Sequence, residues 1–339
     1  MKKTLTIIIP TYNMEKYLDK CLTSLILPEE QMLMLEVLVI NDGSKDQSSE
    51  IAHRYEAKYP QTFKVIDKEN GNYGSCINRG LKEATGKYIK ILDADDCFET
   101  NAFAQFVSFL RDNDADMILT DMSYVREGKT EEMIIYNAIE PKKVISLDSE
   151  NNLHLPKLMM HYVCYRTALL HEIGYQQTEG ISYTDQEWIF YPFFQVRTMC
   201  YLPVNLYLYT VGREGQTMNP QAMLRCVNHN KIITTRAFKY YQSYDLATLP
   251  KVNAEELKRQ IRYQFSYLYN MYLKQQGRNY DKESLREIDK LLKENKELYN
   301  EIGKKKYHHY LPLPYIMIWR VAGVRINLDS LMTLYKKTK

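Results

Sequence analysis

Short apolar runs alternate with stretches of helical periodicity through the first third of the chain. Residues 5–9 form a β-branched run of the kind that makes a buried strand, and Pro10-Thr11-Tyr12-Asn13 ends it. Met14, Tyr17, Leu18, Cys21, Leu22, Leu25 and Ile26 then recur at three-and-four spacing, which predicts one apolar helix face. Residues 35–40 read as a second buried strand, ending in Asn41-Asp42-Gly43-Ser44. A helix carrying Ile51, Ala52, Tyr55 and Tyr59 follows. Residues 63–67 make a third strand, 70–75 a glycine-containing loop, 77–84 its helix, and 88–92 a fourth strand.

Strands that alternate with single helices imply right-handed crossovers and a mostly parallel sheet. Ligands of such sheets lie at the carboxyl ends of the strands. Polar clusters stand at those ends here: Thr11-Tyr12-Asn13, Asn41-Asp42 and Asp93-Ala94-Asp95-Asp96.

Further on, 101–113 suits a helix and 116–125 a strand, while 126–155 is irregular and polar, an insertion or hairpin. Residues 165–173 read as a helix stopped by Gly174. The stretch 182–188 opens another, with Thr184 and Glu187 spaced as a capping box. Residues 199–202 and 206–211 look like strands, and 221–302 is helical in pattern throughout. No internal repeat or low-complexity linker interrupts the chain.

Composition changes the picture in three places. Tyrosine, at 29 copies against 10 Phe, suits half-wet apolar surfaces such as sugar clefts, or is a habit of composition. Residues 304–339 hold eight Lys or Arg against Asp329 alone, a net of +7. The rest of the chain then sits at about −4 of the total +3. The six cysteines show no Cys-x-x-Cys and no pairing rhythm, which speaks against a zinc ribbon or disulfide scaffold. The run Ile7-Ile8-Ile9 stops at Pro10 without forming a leader. No segment reaches the roughly 18–20 apolar residues of a membrane span. A reducing, cytoplasmic setting is expected.

The chemistry concentrates where 88–92 runs into Asp93, Asp95 and Asp96. Carboxylates so crowded repel unless a cation lies between them. A hard divalent ion holding a diphosphate would meet that need, and a solvated acidic turn is the plainer alternative. Ile9-Pro10-Thr11-Tyr12-Asn13, Val39-Ile40-Asn41-Asp42-Gly43-Ser44 and Leu92-Asp93-Ala94-Asp95-Asp96, in that order and spacing, resemble the family 2 glycosyltransferases of GT-A fold. Residues 70–80 fit the segment that family carries between its second and third signatures. The resemblance is good over 1–125 and resumes at 183–188 and 212–217.

It implies an α/β GT-A fold, Rossmann-like, with a mostly parallel sheet flanked by helices and a mainly helical C-terminal region. The expected divisions are 1–218 for the GT-A domain (nucleotide-sugar half about 1–125, acceptor half about 155–218), 219–303 for the helical region, and 304–339 for the basic, aromatic tail. The implied reaction is inverting sugar transfer from a nucleotide-diphosphate donor, UDP-sugar favoured. The acceptor would be a saccharide or lipid-linked saccharide in cell-surface polysaccharide or glycolipid synthesis.

The donor contacts carried over are Pro10, Thr11, Tyr12, Asn13, Asp42, Gly71, Ser75, Asn78, Asp93, Ala94, Arg213 and Gln216. Tyr12 would stack on the base and Asp42 accept from a base N–H. Gly71, Gly74 and Ser75 would let the backbone approach the donor. The family's usual Arg before Asn78 is Ile77 here, so a contact from that position is not carried over. Asp95, with Asp93, would hold Mn²⁺ or Mg²⁺; Asp96 is an outer group or a helix cap. Asp185 matches the family's general base. Its helix N-terminus is expected to lower its pKa, and Glu187 is assigned to capping. His154 and His161 could reach a site, yet packed or solvated histidines are the expectation.

Residues 311–320 suit an anchor on an anionic membrane surface, or a helix packed on the protein itself. Nucleic acid is not an expected partner, and the oligomeric state stays open. A non-catalytic nucleotide-sugar-binding or assembly subunit of a polysaccharide synthesis complex is the alternative reading.

Overall fold

The computed structural model describes residues 2–126, 129–133, 139–150, 153–212, 220–275, 280–306 and 314–323. The first apolar runs become β1 (Leu5–Thr11), β2 (Leu35–Asn41), β3 (Phe63–Asp67) and β4 (Tyr88–Ile91). Between them lie α1 (Leu18–Thr23), α2 (Glu29–Met32), α3 (Ser48–Lys58) and α4 (Asn72–Glu83). These strands are parallel in the order β3-β2-β1-β4. Leu5, Ile7, Ile8 and Ile9 are fully buried, because helices cover both faces of a parallel sheet.

The sheet continues through β5 (Cys97–Phe98), β6 (Met117–Arg126), β7 (Lys129–Met133), β8 (Val144–Ser146), β9 (Val163–Arg166) and β10 (Thr198–Thr210). Its helices are α5 (Thr100–Arg111), α6 (Thr167–Glu172) and α7 (Asp185–Phe190). The full order is β3-β2-β1-β4-β9-β6-β10-β5, with β7 on β6 and β8 on β10. The parallel expectation describes the first half and the β6–β10 pair. β9 enters antiparallel to both β4 and β6.

Several expected elements change. Residues 165–166, expected to start a helix, instead end the strand 163–166, because pairing with two neighbours and burial of Tyr165 against Trp188 (ring centroids 5.1 Å apart) override helical periodicity. The strands expected at 199–202 and 206–211 are one strand, β10. It passes exposed Pro203 by register shifts between Leu202 and Asn205 and between Asn205 and Tyr207. The loop expected at 70–75 is largely helix, since α4 starts at Asn72 and contains Gly74 and Ser75.

Two compact units make up the chain: Met1–Gln216 with Asp245–Glu256, and Thr217–Tyr244 with Leu257–Lys339. Residues 245–256, expected in the helical region, pack in the first unit, where the Asn253 amide donates to the Phe193 and Val196 carbonyls. The helices beyond β10 are α8 (Pro220–Arg225), α9 (Val227–Ser243), α10 (Lys251–Asn270), α11 (Lys282–Leu292), α12 (Lys296–Gly303) and α13 (Tyr315–Ala322).

Within the second unit, α13 buries Tyr315, Ile316 and Trp319. The Trp319 indole donates to Tyr280 Oη at 3.0 Å. Arg320 donates to Asp289 (2.6 Å) and lies 3.5 Å over the Tyr299 ring. Three apolar side chains of 315–322 thus lie in the unit's own core, the packed alternative expected for this stretch, while Met317 and Val321 are exposed. Residues 324–339 lie outside the described residues. No described helix is long and apolar enough to cross a membrane.

Candidate functional site

The carboxyl ends of β1, β2 and β4 converge as the parallel register requires. Thr11 stands opposite Asn41, and the Asp42 amide donates to the Thr11 carbonyl at 2.8 Å. Pro10 pairs with Ile40, Thr11 is buried, and Tyr12 is 46% exposed, a ring open to stacking. Asn13 has φ 54°, a left-handed turn that asparagine tolerates. Its amide donates to Ser44 Oγ and its side chain accepts from the Lys45 amide, which ties the first loop to the second.

Asp42 is 3% exposed, and its Oδ1 accepts from Lys68 Nζ (2.6 Å) and the Gly71 amide (2.9 Å). Lys68 also reaches Ser75 Oγ at 2.9 Å. Gly71 therefore braces Asp42 directly, and Ser75 does so through Lys68. Lys68 was not among the expected residues, because its position beyond β3 carries no local motif.

Two of the expected donor contacts have partners within the chain itself. Gly74 gives its close approach to the chain itself, since a Cβ there would lie 2.1 Å from the Thr178 carbonyl oxygen. Asn78 donates to the Gln177 carbonyl (2.9 Å) and Glu179 (2.8 Å) and accepts from the Gln177 amide (2.8 Å). Its amide is consumed in holding α4 to 177–179. A cavity of about 730 Å³ opens on this side, lined by Lys68, Gly71, Asn78, Arg79 and His171; no acidic residue of the β4 end lines it.

At that end, the Asp96 amide donates to the Asp93 carbonyl at 3.0 Å. This closes a turn that returns Asp96 beside Asp93, with buried Ala94 and half-buried Asp95 at its crest. Tyr73 donates to Asp93 Oδ1 at 2.9 Å. The Tyr207 hydroxyl accepts from the Asp93 amide (3.1 Å) and donates to Asp96 Oδ2 (2.9 Å), and the Thr210 amide donates to Asp96 Oδ1 (2.7 Å). Tyr207 reaches this turn because β5, which follows Asp96 directly, pairs with β10. Burial, then the Asp95 and Asp93 charges, push the Asp96 carboxyl well above the usual carboxylate range.

Donor atoms of Asp93, Asp96 and His161 lie within 4.8 Å of one another. His161 is 7% exposed and its Nδ1 has no hydrogen-bond partner. Burial, then nearby Lys90, lower its pKa to about 3, so the imidazole is neutral and able to act as a ligand. Lys90 is itself fully buried on β4 and donates to the His161 carbonyl at 2.8 Å. This donor set of two carboxylates and an imidazole fits a divalent cation. It differs from the expected pair: Asp96 and His161 join Asp93, and Asp95 is outside the trio. As expected of a packed histidine, the ring lies 4.7 Å from the Tyr207 ring and 4.6 Å from Tyr209; its nearness to Asp93 and Asp96 depends on the assembled sheet.

Asp185 opens α7, half-buried. Burial raises its pKa to about 6, although its own amide, the Gln186 amide and Lys157 pull the other way. The expected lowering by the helix N-terminus is thus outweighed by desolvation. Tyr183 just before it has φ 68°, a conformation that costs about 1–3 kcal/mol for a non-glycine residue. The expected capping box does not form: Thr184 makes no side-chain cap, and buried Glu187 accepts instead from the Thr178 amide and hydroxyl. Arg213 and Gln216 lie outside the described residues.

Comparison with known proteins gives three results. The sequence matches the family described as glycosyl transferase family 2 over residues 6–174. An uncharacterised glycosyltransferase of Mycoplasma genitalium is 41% identical over 132 residues, 38% of this chain and 43% of that protein. The poly(ribitol-phosphate) β-N-acetylglucosaminyltransferase TarS of Staphylococcus aureus is 26% identical over 215 residues, 63% of this chain and 36% of that one. The chain thus spans less than half the length of these relatives. The crystal structure of TarS residues 1–349 with UDP superposes with a TM-score of 0.66 over 99% of this chain and 92% of that one, at 20% identity. A mannosyltransferase of Pyrobaculum calidifontis in complex with GDP-Man and Mn²⁺ superposes with a TM-score of 0.51 over 80% of this chain and 74% of that one, at 16% identity. The fold is GT-A, with a helical C-terminal region.

Proposed function

The chain belongs to glycosyl transferase family 2, and from that premise we propose that it moves a sugar, with inversion, from a UDP-sugar to a saccharide or lipid-linked saccharide acceptor. The observation that carries the reading is the braced acidic turn at the end of β4, where Tyr73 and Tyr207 fix Asp93 and Asp96 beside Asp95. Tyr12 is the base-stacking residue in this reading, and Asp42, held by Lys68 and Gly71, accepts from the base. Pro10, Thr11 and Asn13 shape the same pocket, and Arg213 and Gln216 belong to the diphosphate. Asp93 and Asp95 would hold Mn²⁺ or Mg²⁺, which when bound neutralises the departing diphosphate.

Asp185 is the general base in this reading. Its acceptor-facing role needs an ionised carboxylate close in pKa to working pH, which a value of about 6 supports. The reading also draws on UDP in TarS and GDP-Man with Mn²⁺ in the archaeal mannosyltransferase. A poly(ribitol-phosphate) transferase among the relatives favours a cell-surface polymer as the acceptor class. A reducing cytoplasm is the compartment it implies, since all six cysteines are free.

The test is a thermal-shift panel of UDP, GDP, CDP and TDP with and without Mn²⁺, on wild type and Asp95→Ala. Stabilisation by UDP that needs Mn²⁺ and disappears in Asp95→Ala is the expected outcome. At about a hundred times the dissociation constant the gain is roughly 2.7 kcal/mol. No response to any nucleotide at saturating concentration overturns the donor site. Binding without transfer or donor hydrolysis would mark a binding subunit instead.

A further inference from the structure

We propose that the outward face of α13, with Lys304, Lys305 and Lys306 beside it, docks on a bilayer surface that bears anionic lipid headgroups. The proposal goes beyond the transfer reading and needs neither nucleotide nor acceptor.

The helix is the first ground. α13 turns Tyr315, Ile316 and Trp319 into the core of its own unit. Arg320, the only charged residue of 315–322, turns inward as well. Its side chain is 8% exposed and is held by Asp289. Met317 and Val321, one turn apart on the other face, are left 44% and 84% exposed, and Ala322 is exposed beside them. The outward face therefore carries no charge and no polar side chain. A helix that is apolar on both sides is one that something covers on both sides.

Charge decides what covers it. Gly303 ends α12 against Arg320, so close that a Cβ there would lie 2.6 Å from the guanidinium. Lys304, Lys305 and Lys306 leave from that point and are exposed, and among the described residues no acid pairs with them. The second unit as a whole holds 22 Lys or Arg against 8 Asp or Glu, a net of +14, while the first stands at −11. Such a field draws an anionic partner.

The apolar side chains narrow the choice. Seven large ones are exposed among the described residues, and five of them (Ile232, Tyr240, Tyr263, Met317 and Val321) belong to this unit. A water-soluble polyanion would answer the charge and give Met317 and Val321 nothing. An anionic bilayer answers both, with the apolar side chains in the headgroup boundary and the lysines level with the phosphates. Eight residues of helix reach about 12 Å, so α13 lies in the surface and does not cross it.

The experiment floats the full chain with vesicles of phosphatidylglycerol and phosphatidylcholine in equal parts, or of phosphatidylcholine alone. Binding is expected to the anionic vesicles only, weakening as salt rises. Lys304→Gln, Lys305→Gln and Lys306→Gln together should weaken it on the order of 100-fold, since each basic residue near such a surface contributes about fivefold. Met317→Ser with Val321→Ser should weaken it about 10-fold. All five positions are exposed, so both variants are expected to melt with wild type. Val321→Trp reports the contact itself. Trp188 and Trp319 are buried, so the added ring alone should shift its emission to the blue on binding and be quenched by brominated lipid.

No flotation, equal flotation with both vesicle types, binding that survives either set of substitutions, or an unquenched Val321→Trp on bound vesicles each overturns the proposal. Binding to soluble polyphosphate with none to vesicles overturns it in favour of a polymer. A Val321→Trp emission already blue without vesicles, or a sedimentation coefficient that falls in the Met317→Ser, Val321→Ser variant, overturns it too. The face would then be covered by the chain's own residues or by a second copy.

Discussion

The Glu187 carboxylate accepts two hydrogen bonds from Thr178, from its amide at 2.6 Å and its hydroxyl at 2.7 Å. Glu187 lies on α7, two residues beyond Asp185. Thr178 presses its carbonyl on Gly74 of α4, beside Tyr73, which bonds Asp93. One fully buried carboxylate thus joins the helix of the proposed base to the helix that braces the acidic turn.

Glu187→Ala removes both bonds and leaves the half-buried Thr178 donors without that acceptor. Urea unfolding is expected to show a loss of about 1–3 kcal/mol. Gly74→Ala forces a Cβ to within 2.1 Å of the Thr178 oxygen unless the loop shifts, and it too should destabilise. Because both act through Thr178, the double variant is expected to be less unstable than the two separate losses combined. Strict additivity would show the two contacts to be independent.

The pH dependence of transfer follows from Asp185. With a pKa of about 6, the carboxyl is protonated below that pH and cannot take a proton from the acceptor. The rate at subsaturating substrate is expected to fall about tenfold per unit below pH 6. The effect on stability has the opposite sense. A folded pKa above the ordinary 3.8 means that ionisation opposes folding as pH rises from about 4 to 6. Asp185→Asn should therefore lose transfer while melting no lower than wild type at neutral pH.

Tyr12 tests the nucleotide end. Base stacking on an aromatic ring contributes about 1–3 kcal/mol. Tyr12→Ala is expected to weaken UDP binding by that amount in calorimetry, with Tyr12→Phe close to wild type. The half-exposed ring makes few internal contacts to lose, so the melting temperature without nucleotide should barely move.

Asp116 tests the frame. It accepts from Arg166 at 2.6 Å and from the Arg197 and Thr198 amides at 2.9 Å each. Burial raises its pKa, but these donors outweigh burial and leave it below the ordinary 3.8. Its stabilisation is present above pH 3.8 and is lost as pH falls through the lowered value. Asp116→Ala, which leaves Arg166 without its partner, should cost about 3 kcal/mol near pH 7. In urea titrations the gap from wild type should narrow towards pH 3.

The β-branched runs at 5–9, 35–40 and 63–67 and their polar ends determined the parallel half of the sheet. Runs buried on both faces have few other ways to pack, and parallel order carries Thr11, Asp42 and Asp93 to one edge. The spacing of those motifs also identified the family. Local pattern could not foresee β9, whose strand state depends on pairing with β4 and β6, or the single β10 that carries Tyr207 to Asp96. Nor could it foresee that Glu187 would spurn Thr184 for Thr178, or that desolvation would outweigh the helix terminus at Asp185. His161 falls between these cases. Its presence is plain in the chain, but the Asp93 and Asp96 side chains, 68 and 65 residues before it, come within reach only when the sheet is assembled. Sequence sets which groups are available and the periodicity that packs them. Burial, and the pairing of segments far apart in the chain, decide which of those groups meet and how strongly each holds its proton.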